Sequence, residues 1–234
     1  MLKFLIAQAC TSLANLLLER LRNKVPVGMN REEFRLCVLS FSQFGEDLAA
    51  LRLAQNMGID HGIYVDVGAF HPIHLSNTLL LYKKRWRGVN IDTNPQKIDL
   101  FNKLRPGDCN VCAAISDIPA FYKTQNAGRT TETISILEHP SATGARTQTL
   151  DQVLARSPFA NQPIDYLNID CEKHDIHVLK SVSLETYRPA FLSIEALDFA
   201  AEQEIRQYLE PKGYSLCEKI HWTLFFKSLQ RSSR

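Results

Sequence analysis

The sequence predicts an α/β domain: a mainly parallel sheet covered by helices, with its last two strands as an antiparallel pair. Three observations carry that expectation. Short apolar segments at 63–67, 89–92, 164–169 and 190–194 are bounded by turn-forming or acidic residues, as buried strands are. Helix-spaced stretches separate successive strands, the alternation that builds parallel sheets through crossovers. Segments 214–218 and 222–226 then read as a terminal pair closing the sheet.

The bulk properties set the limits. A chain of 234 residues suffices for one substantial core and is short for two. It is 45% hydrophobic and 22% charged, with net charge +2, so no basic surplus points to nucleic acid. Six cysteines, at 10, 37, 109, 112, 171 and 217, are too dispersed for a disulfide scaffold and fit a reducing compartment. A secreted protein with one or two bridges is the alternative. The expected location is cytoplasmic, since no uninterrupted apolar run is long enough for a membrane span.

Near the start, Leu2, Leu5, Ile6, Ala9, Leu13, Leu16, Leu17 and Leu21 recur at helical spacing. An accessory helix that covers the domain or pairs subunits in a homo-oligomer is the leading reading. Peripheral contact with the inner membrane surface is second, because Lys3, Arg20, Arg22 and Lys24 are only modestly cationic. Ala7-Gln8-Ala9 lies too early for a signal-cleavage site. The plan is therefore a helical appendage at 1–40, a catalytic domain at 41–228 and a polar tail at 229–234.

Taken in order, Pro26 and Gly28 mark an early turn, and Asn30 with Glu33 offers a reciprocal helix cap. Ser42 offers another before a helix that Gly58 ends; Gln43 and Asp47 could reach a ligand from there. Ser76 can cap a helix running to about Trp86, and Pro95 opens one ending near Leu104. Residues 109–116 read as a central strand. Phe121-Tyr122 can begin an edge strand, whereas 124–146 is polar and turn-rich and reads as loops around an acceptor pocket. Thr149 precedes a short helix, 174–182 and 201–209 are helical, and Pro211-Lys212-Gly213 breaks the last helix.

Asp66, Asp92, Asp170 and Glu195 each fall at the C-terminal end of an expected parallel strand, where open α/β sheets bind ligands. Asp92 is placed to accept ribose hydroxyl hydrogen bonds, with a loop cap as the plain alternative. Asp66 can meet a cofactor amine or brace the Gly68 loop. That loop has one glycine where a pyrophosphate cradle needs several, which points to an adenosyl ligand without a pyrophosphate. Asp170, Glu172 and His174 form a compact polar set suited to a general base for a hydroxyl. Spacing does not choose among them, and each could instead cap the following helix.

No metal set is expected. His71 and His74 share a loop, but Cys109 and Cys112 would face opposite sides of one strand. A divalent ion on Asp170 and Glu172 is the metal alternative. Phosphate-loop, hydrolase-elbow and zinc-protease motifs are absent.

Several ordered segments together resemble the FkbM-like methyltransferase family: FSQFGEDL from Phe41, YVDVGAFHPIHLSNT from Tyr64, WRGVNIDTNP from Trp86 and AISD from Ala114. TLDQVL from Thr149, IDYLNIDCEKHDIHVLK from Ile164, RPAFLSIEAL from Arg188 and the terminal GYSLCEKIHWTLFF continue it. The resemblance implies a class I methyltransferase-like Rossmann-type sheet of seven strands, with helices on both faces. It also implies S-adenosyl-L-methionine as cofactor and O-methylation of a sugar or glycoconjugate, including a lipo-oligosaccharide. By the same resemblance Asp66, Gly68, Ser76, Asn77, Asp92, Ser116 and Asp117 surround the cofactor, while Asp170, Glu172 and His174 serve the acceptor. Asp92 stands where the family commonly has glutamate, and Lys173 where it commonly has glycine. Lys173 is the main argument for the alternative, a non-catalytic adenosyl-ligand or protein-binding module. A deacylase or dehydrogenase fits less well.

Overall fold

The computed structural model describes residues 30–127, 131–137 and 145–230. The expected amphipathic helix near the start lies outside them, as do residues 231–234 of the tail. The chain divides into two compact units, Met1–Leu39 and Ser40–Arg234. In the first, α1 (Arg31–Arg35) carries the reciprocal cap read from the sequence. Asn30 Oδ1 accepts from the Glu32 and Glu33 amides at 2.9 and 3.0 Å, and Glu33 Oε2 accepts from the Asn30 amide at 2.7 Å.

The second unit is built on a seven-stranded sheet. Its elements in chain order are α2 (Glu46–Asn56), β1 (Ile63–Val67), α3 (Leu79–Lys83), β2 (Arg87–Asp92), α4 (Pro95–Leu104) and β3 (Cys109–Cys112). After an inserted segment come α5 (Leu150–Leu154), β7 (Tyr166–Ile169), α6 (Asp175–Lys180), α7 (Leu184–Tyr187), β8 (Phe191–Glu195) and α8 (Phe199–Leu209). The hairpin β9 (Tyr214–Ile220) and β10 (Thr223–Ser228) ends the domain. The strands lie in the order β3-β2-β1-β7-β8-β10-β9. All pairings are parallel except those of β10, which runs antiparallel to both β8 and β9. This is the class I methyltransferase arrangement expected from the sequence.

Side-chain alternation along the strands gives the sheet two different faces. Val65, Val67, Val89, Ile91, Leu167, Ile169, Leu192 and Ile194 pack on one side with residues of α5, α6 and α8. On the other, Tyr64, Tyr166, Phe191 and Phe225 pack with Ala49, Ala50, Leu81 and Trp86. A polar row runs through the middle. Asn110, Asn90, Asp66, Asn168 and Ser193 are successive register partners across β3, β2, β1, β7 and β8. Asp66, Asn90, Asn168 and Ser193 in that row are buried.

Three expectations need correction. Residues 109–116 do not make a central strand: β3 is four residues long and forms the sheet edge, pairing only with β2. The Ala113 amide makes one more bond to the Asp92 carbonyl, after which the chain pairs with Gln148 through Ile115 instead of β2. Part of the polar 124–146 stretch is sheet rather than loop. There, β4 (Phe121–Ala127), β5 (Thr131–Leu137) and β6 (Ala145–Arg146) make a separate three-stranded antiparallel sheet. Polar composition hid this, because ladder bonding needs no apolar run. Residues 128–130 and 138–144 lie outside the described residues. Finally, the helix after Ser76 is short, ending at Lys83, because Arg85 turns into the left-handed region (φ 68) and Trp86 enters the core.

The β1–β7 junction constrains one glycine. Val67 O accepts from the Asp170 amide at 3.0 Å, so the two strand ends leave the sheet side by side. Gly68 sits at φ 79, and a Cβ there would collide with the Asp170 carbonyl oxygen. Only glycine meets both conditions without displacing backbone. Gly68→Ala is expected to lower stability by about 3 kcal/mol, the scale of a strained left-handed residue with a backbone clash. Urea denaturation checks this, and a loss below about 1 kcal/mol would contradict it.

Candidate active site

The loop after β1 is held from beneath by a buried cation. Arg105, 1% exposed, donates to Pro72 O at 3.1 and 2.7 Å, to Ser76 Oγ at 2.6 Å and to Thr78 Oγ1 at 2.8 Å. Thr78 Oγ1 donates to Asp66 Oδ2 at 2.6 Å, and Asn168 Nδ2 donates to Asp66 Oδ1 at 2.9 Å. Burial raises the Asp66 pKa, while these two bonds and then the Arg105 charge pull it back. Ser76 Oγ also accepts from the Leu79 amide at 3.2 Å, at the start of α3.

Above this base, a cavity of about 560 Å³ opens at the C-terminal ends of β1, β2, β7 and β8. Gly68, Ala69 and Phe70 form one wall; Ala113, Ala114 and Ile115 form an apolar one. Asp92, at the end of β2, accepts from the Phe70 amide at 3.0 Å and the Asn94 amide at 2.8 Å, with Lys97 Nζ at 3.7 Å. It joins the two loops that frame the cavity.

Acids dominate the remaining side. Asp170, Glu172 and Glu195 all line the cavity, from the ends of β7 and β8. Glu195 Oε2 is buried and has no hydrogen-bond partner among the described residues. Burial, followed by the charges of Asp170, Asp175 and Glu172, raises the Glu195 pKa to about 8. Asp170 rises to about 7 from burial first, then from Asp175, Glu172, Asp66 and Glu46. Asp175, whose Oδ1 accepts from the Cys171 amide at 2.7 Å, rises to about 6, again chiefly through burial. Acids concentrated in this way suit a ligand that brings its own positive charge or hydroxyl donors.

The turn carrying these groups is strained. Glu172 and Lys173 have φ of 51 and 75, two consecutive non-glycine residues in the left-handed region. Lys173 therefore keeps the backbone shape that a glycine would adopt freely. His174 follows as the residue before α6, but its side chain makes no cap. Its ring stacks on His177 at 4.8 Å, and His177 Nδ1 lies 2.8 Å from Asp117 Oδ1. Burial and then His177 lower the His174 pKa, leaving a neutral imidazole at the cavity wall.

Of the residues singled out from sequence, Asp66, Gly68, Asn77, Asp92, Asp170, Glu172 and His174 line this one cavity. Ser76 lies beneath it, bracing the loop. Ser116 and Asp117 line a separate, shallower cleft with Arg146 and Arg156, and the neighbouring Ala113–Ile115 backbone faces the main cavity instead. Gln43 reaches the cavity; Asp47 turns away and accepts from Ser40 Oγ, Ser42 Oγ and the Phe41 amide at 2.6, 2.8 and 2.7 Å. His71 Nδ1 accepts from the Ile73 and His74 amides, each at 3.0 Å. Among the described residues, no three His, Cys, Asp or Glu side chains converge as a metal site.

Sequence reasoning missed Arg105 as a structural centre and gave Glu195 no role beyond its position. Aligning the strand ends would have exposed the polar row of Asp66, Asn90, Asn110, Asn168 and Ser193. An arginine after a helix carries no comparable signal.

The raised acids give stability a definite pH dependence. Between the ordinary carboxylate value of about 4 and the folded values of about 7 and about 8, the folded chain holds protons that the unfolded chain has released. Their contribution is fully present below that window and is lost as pH rises through it. Thermal melts of the ligand-free chain should therefore show Tm falling from about pH 5 to about pH 8, with a shallower slope for Glu195→Gln. Parallel slopes for the two proteins would refute the assignment.

Comparison with known proteins supplies the chemistry. The profile of the Methyltransferase FkbM domain matches residues 66–216. No curated protein sequence matches the chain. Among solved structures, a methyltransferase from Geobacter sulfurreducens is 12% identical, with 96% of this chain and 97% of that one covered and a TM-score of 0.48. Human methyltransferase 10 domain containing protein gives 10% identity, 94% and 97% coverage and a TM-score of 0.42. An O-methyltransferase from Bacillus cereus, in complex with SAH, gives 12% identity, 88% and 94% coverage and a TM-score of 0.43. S-adenosylmethionine joins adenosine to an amino acid that carries a sulfonium and an ammonium cation beside one carboxylate. A cavity with several acids on one side and a small apolar wall on the other fits it. The chain belongs to the FkbM methyltransferase family and is an S-adenosylmethionine-dependent methyltransferase.

Proposed function

We propose that the chain methylates a hydroxyl of a sugar or glycoconjugate, a class that includes lipo-oligosaccharides. The observation that supports this most is the Asp170 carboxylate, which lines the cavity and accepts no hydrogen bond from the described residues. A hydroxyl must lose its proton as it attacks, and a base titrating near 7 is matched to neutral pH.

In this reading the cofactor supplies the electrophilic methyl group. The Gly68 loop, Asn77 and Asp92 hold the donor, and Ala113, Ala114 and Ile115 flank its planar base. Asp66 and Ser76 keep the loop in shape from below. Asp170 takes the hydroxyl proton, Glu172 orients the acceptor, and neutral His174 is the adjacent acceptor for that proton. The lipid-linked form rests on the apolar helical spacing in residues 2–21, which also suggests contact with a membrane surface or a second subunit. Among the described residues no helix is long and apolar enough to cross a membrane.

A mass-spectrometric transfer screen over simple glycosides and lipo-oligosaccharides tests the reaction. The expected product is heavier by one methylene, on oxygen. Donor binding without any methylated product would favour a non-catalytic adenosyl-binding module. Asp170→Asn and His174→Ala are expected to lower kcat by about 10²-fold or more, with donor affinity reduced by less than about tenfold. Equal losses in turnover and donor affinity would remove both residues from the acceptor side.

A further inference from the structure

The mouth of the cavity carries exposed aromatic groups that the proposed chemistry does not use. Phe44 and Trp222 are 46% and 45% exposed, and both line the cavity. The His221 ring sits between them, 4.1 Å from Phe44 in an edge-on arrangement and 4.5 Å from Trp222. Two separate elements build this cluster: the segment before α2 and the β9–β10 turn.

Both elements are shaped to present it. Gly45, at φ 94, turns the chain after Phe44, and the Phe44 amide donates to Glu46 Oε2 at 2.8 Å. His221 occupies φ 52 at the hairpin tip, a conformation that is costly for a residue with a side chain. The Trp222 carbonyl accepts from the Ala196 amide at 2.8 Å, and Thr223 pairs with Glu195 in register. The aromatic rim therefore stands directly beside Glu195, whose buried Oε2 has no partner among the described residues.

We infer that Phe44, His221 and Trp222 form the platform that holds the sugar ring of the acceptor, with Glu195 accepting hydrogen bonds from its hydroxyls. The inference rests on the sugar-hydroxyl reading and extends it to specificity. A pyranose has one face rich in C–H bonds, whose partial positive charge suits the negative face of an aromatic ring. Its equatorial hydroxyls both donate and accept, and a buried carboxyl group with an unsatisfied oxygen requires such a partner. Aromatic surface beside an unsatisfied acid meets both needs. Trp222 and Glu195 thus discriminate among acceptors, and neither contacts the methyl donor's nucleoside half.

The chain has two tryptophans, which makes the test direct. Trp86 is 1% exposed and donates to Asp60 O, so acrylamide quenching reports mainly on Trp222. Enzyme saturated with S-adenosylhomocysteine would be titrated with a panel of methyl pyranosides. At least one is expected to protect Trp222 from quenching. Trp222→Ala should raise the KM for that glycoside about tenfold, and Trp222→Phe less than about threefold, with S-adenosylmethionine affinity unchanged. If glycosides are methylated while Trp222 stays unprotected and Trp222→Ala keeps its KM, the platform is refuted and the sugar reading survives. If the enzyme binds donor but methylates only a phenol such as catechol, or binds no glycoside, the sugar reading and the platform both fall.

Discussion

A buried polar row crosses the sheet, and the geometry of the site depends on it. Asn110, Asn90, Asp66, Asn168 and Ser193 stand side by side on five neighbouring strands. They bond laterally: Asn90 Nδ2 to Asn110 Oδ1 at 2.8 Å, Asn168 Nδ2 to Asp66 Oδ1 at 2.9 Å, and Ser193 Oγ to Asn168 Oδ1 at 2.6 Å. Arg105 lies against this row with its cation near the Tyr82 and Phe101 rings. Burying such groups is costly unless each finds a partner, so the network admits few arrangements. A slip of one residue in any strand would move its polar side chain into the aliphatic core. The row thus sets register, and register sets where the strand ends meet.

Those ends then carry the chemistry. Arg105 fixes the Pro72–Thr78 loop, Thr78 links it to Asp66, and Gly68 lets β1 and β7 leave the sheet in contact. Beneath the cavity the polar groups satisfy one another; around it, Asp170, Glu172 and Glu195 do not. That contrast separates scaffold from site. The first set rigidifies the floor, and the second has interactions left for a ligand. The left-handed turn at Glu172-Lys173 belongs to the second set, where backbone strain is retained to aim functional groups.

How much of this could be read from the sequence follows from the same physics. Strands 63–67 and 89–92 were legible because they are apolar and end in acids, and helix Pro95–Leu104 because proline opens it. The acids at the strand ends were legible by position. The inserted sheet was not, since Thr124, Gln125 and Asn126 look like loop residues although they pair in a ladder with β5. Nor was Arg105, whose role comes from partners far away in the chain. Ser116-Asp117 was recognisable as a motif, but the preceding alanines face the main cavity. Sequence spacing locates a turn without saying which of its residues points inward.

The central claim is that this acid-lined cavity receives the cationic methyl donor, whose charge acts on the acids that serve the acceptor. Calorimetric titration of S-adenosylmethionine into the folded chain tests it most directly, at about pH 7 in two buffers of different ionisation enthalpy. A nearby cation favours ionised carboxylates, so binding should release protons from the groups now titrating at about 7 and about 8. The account predicts saturable binding whose apparent enthalpy changes with the buffer. Absence of binding, or binding with the same heat in both buffers, would contradict it.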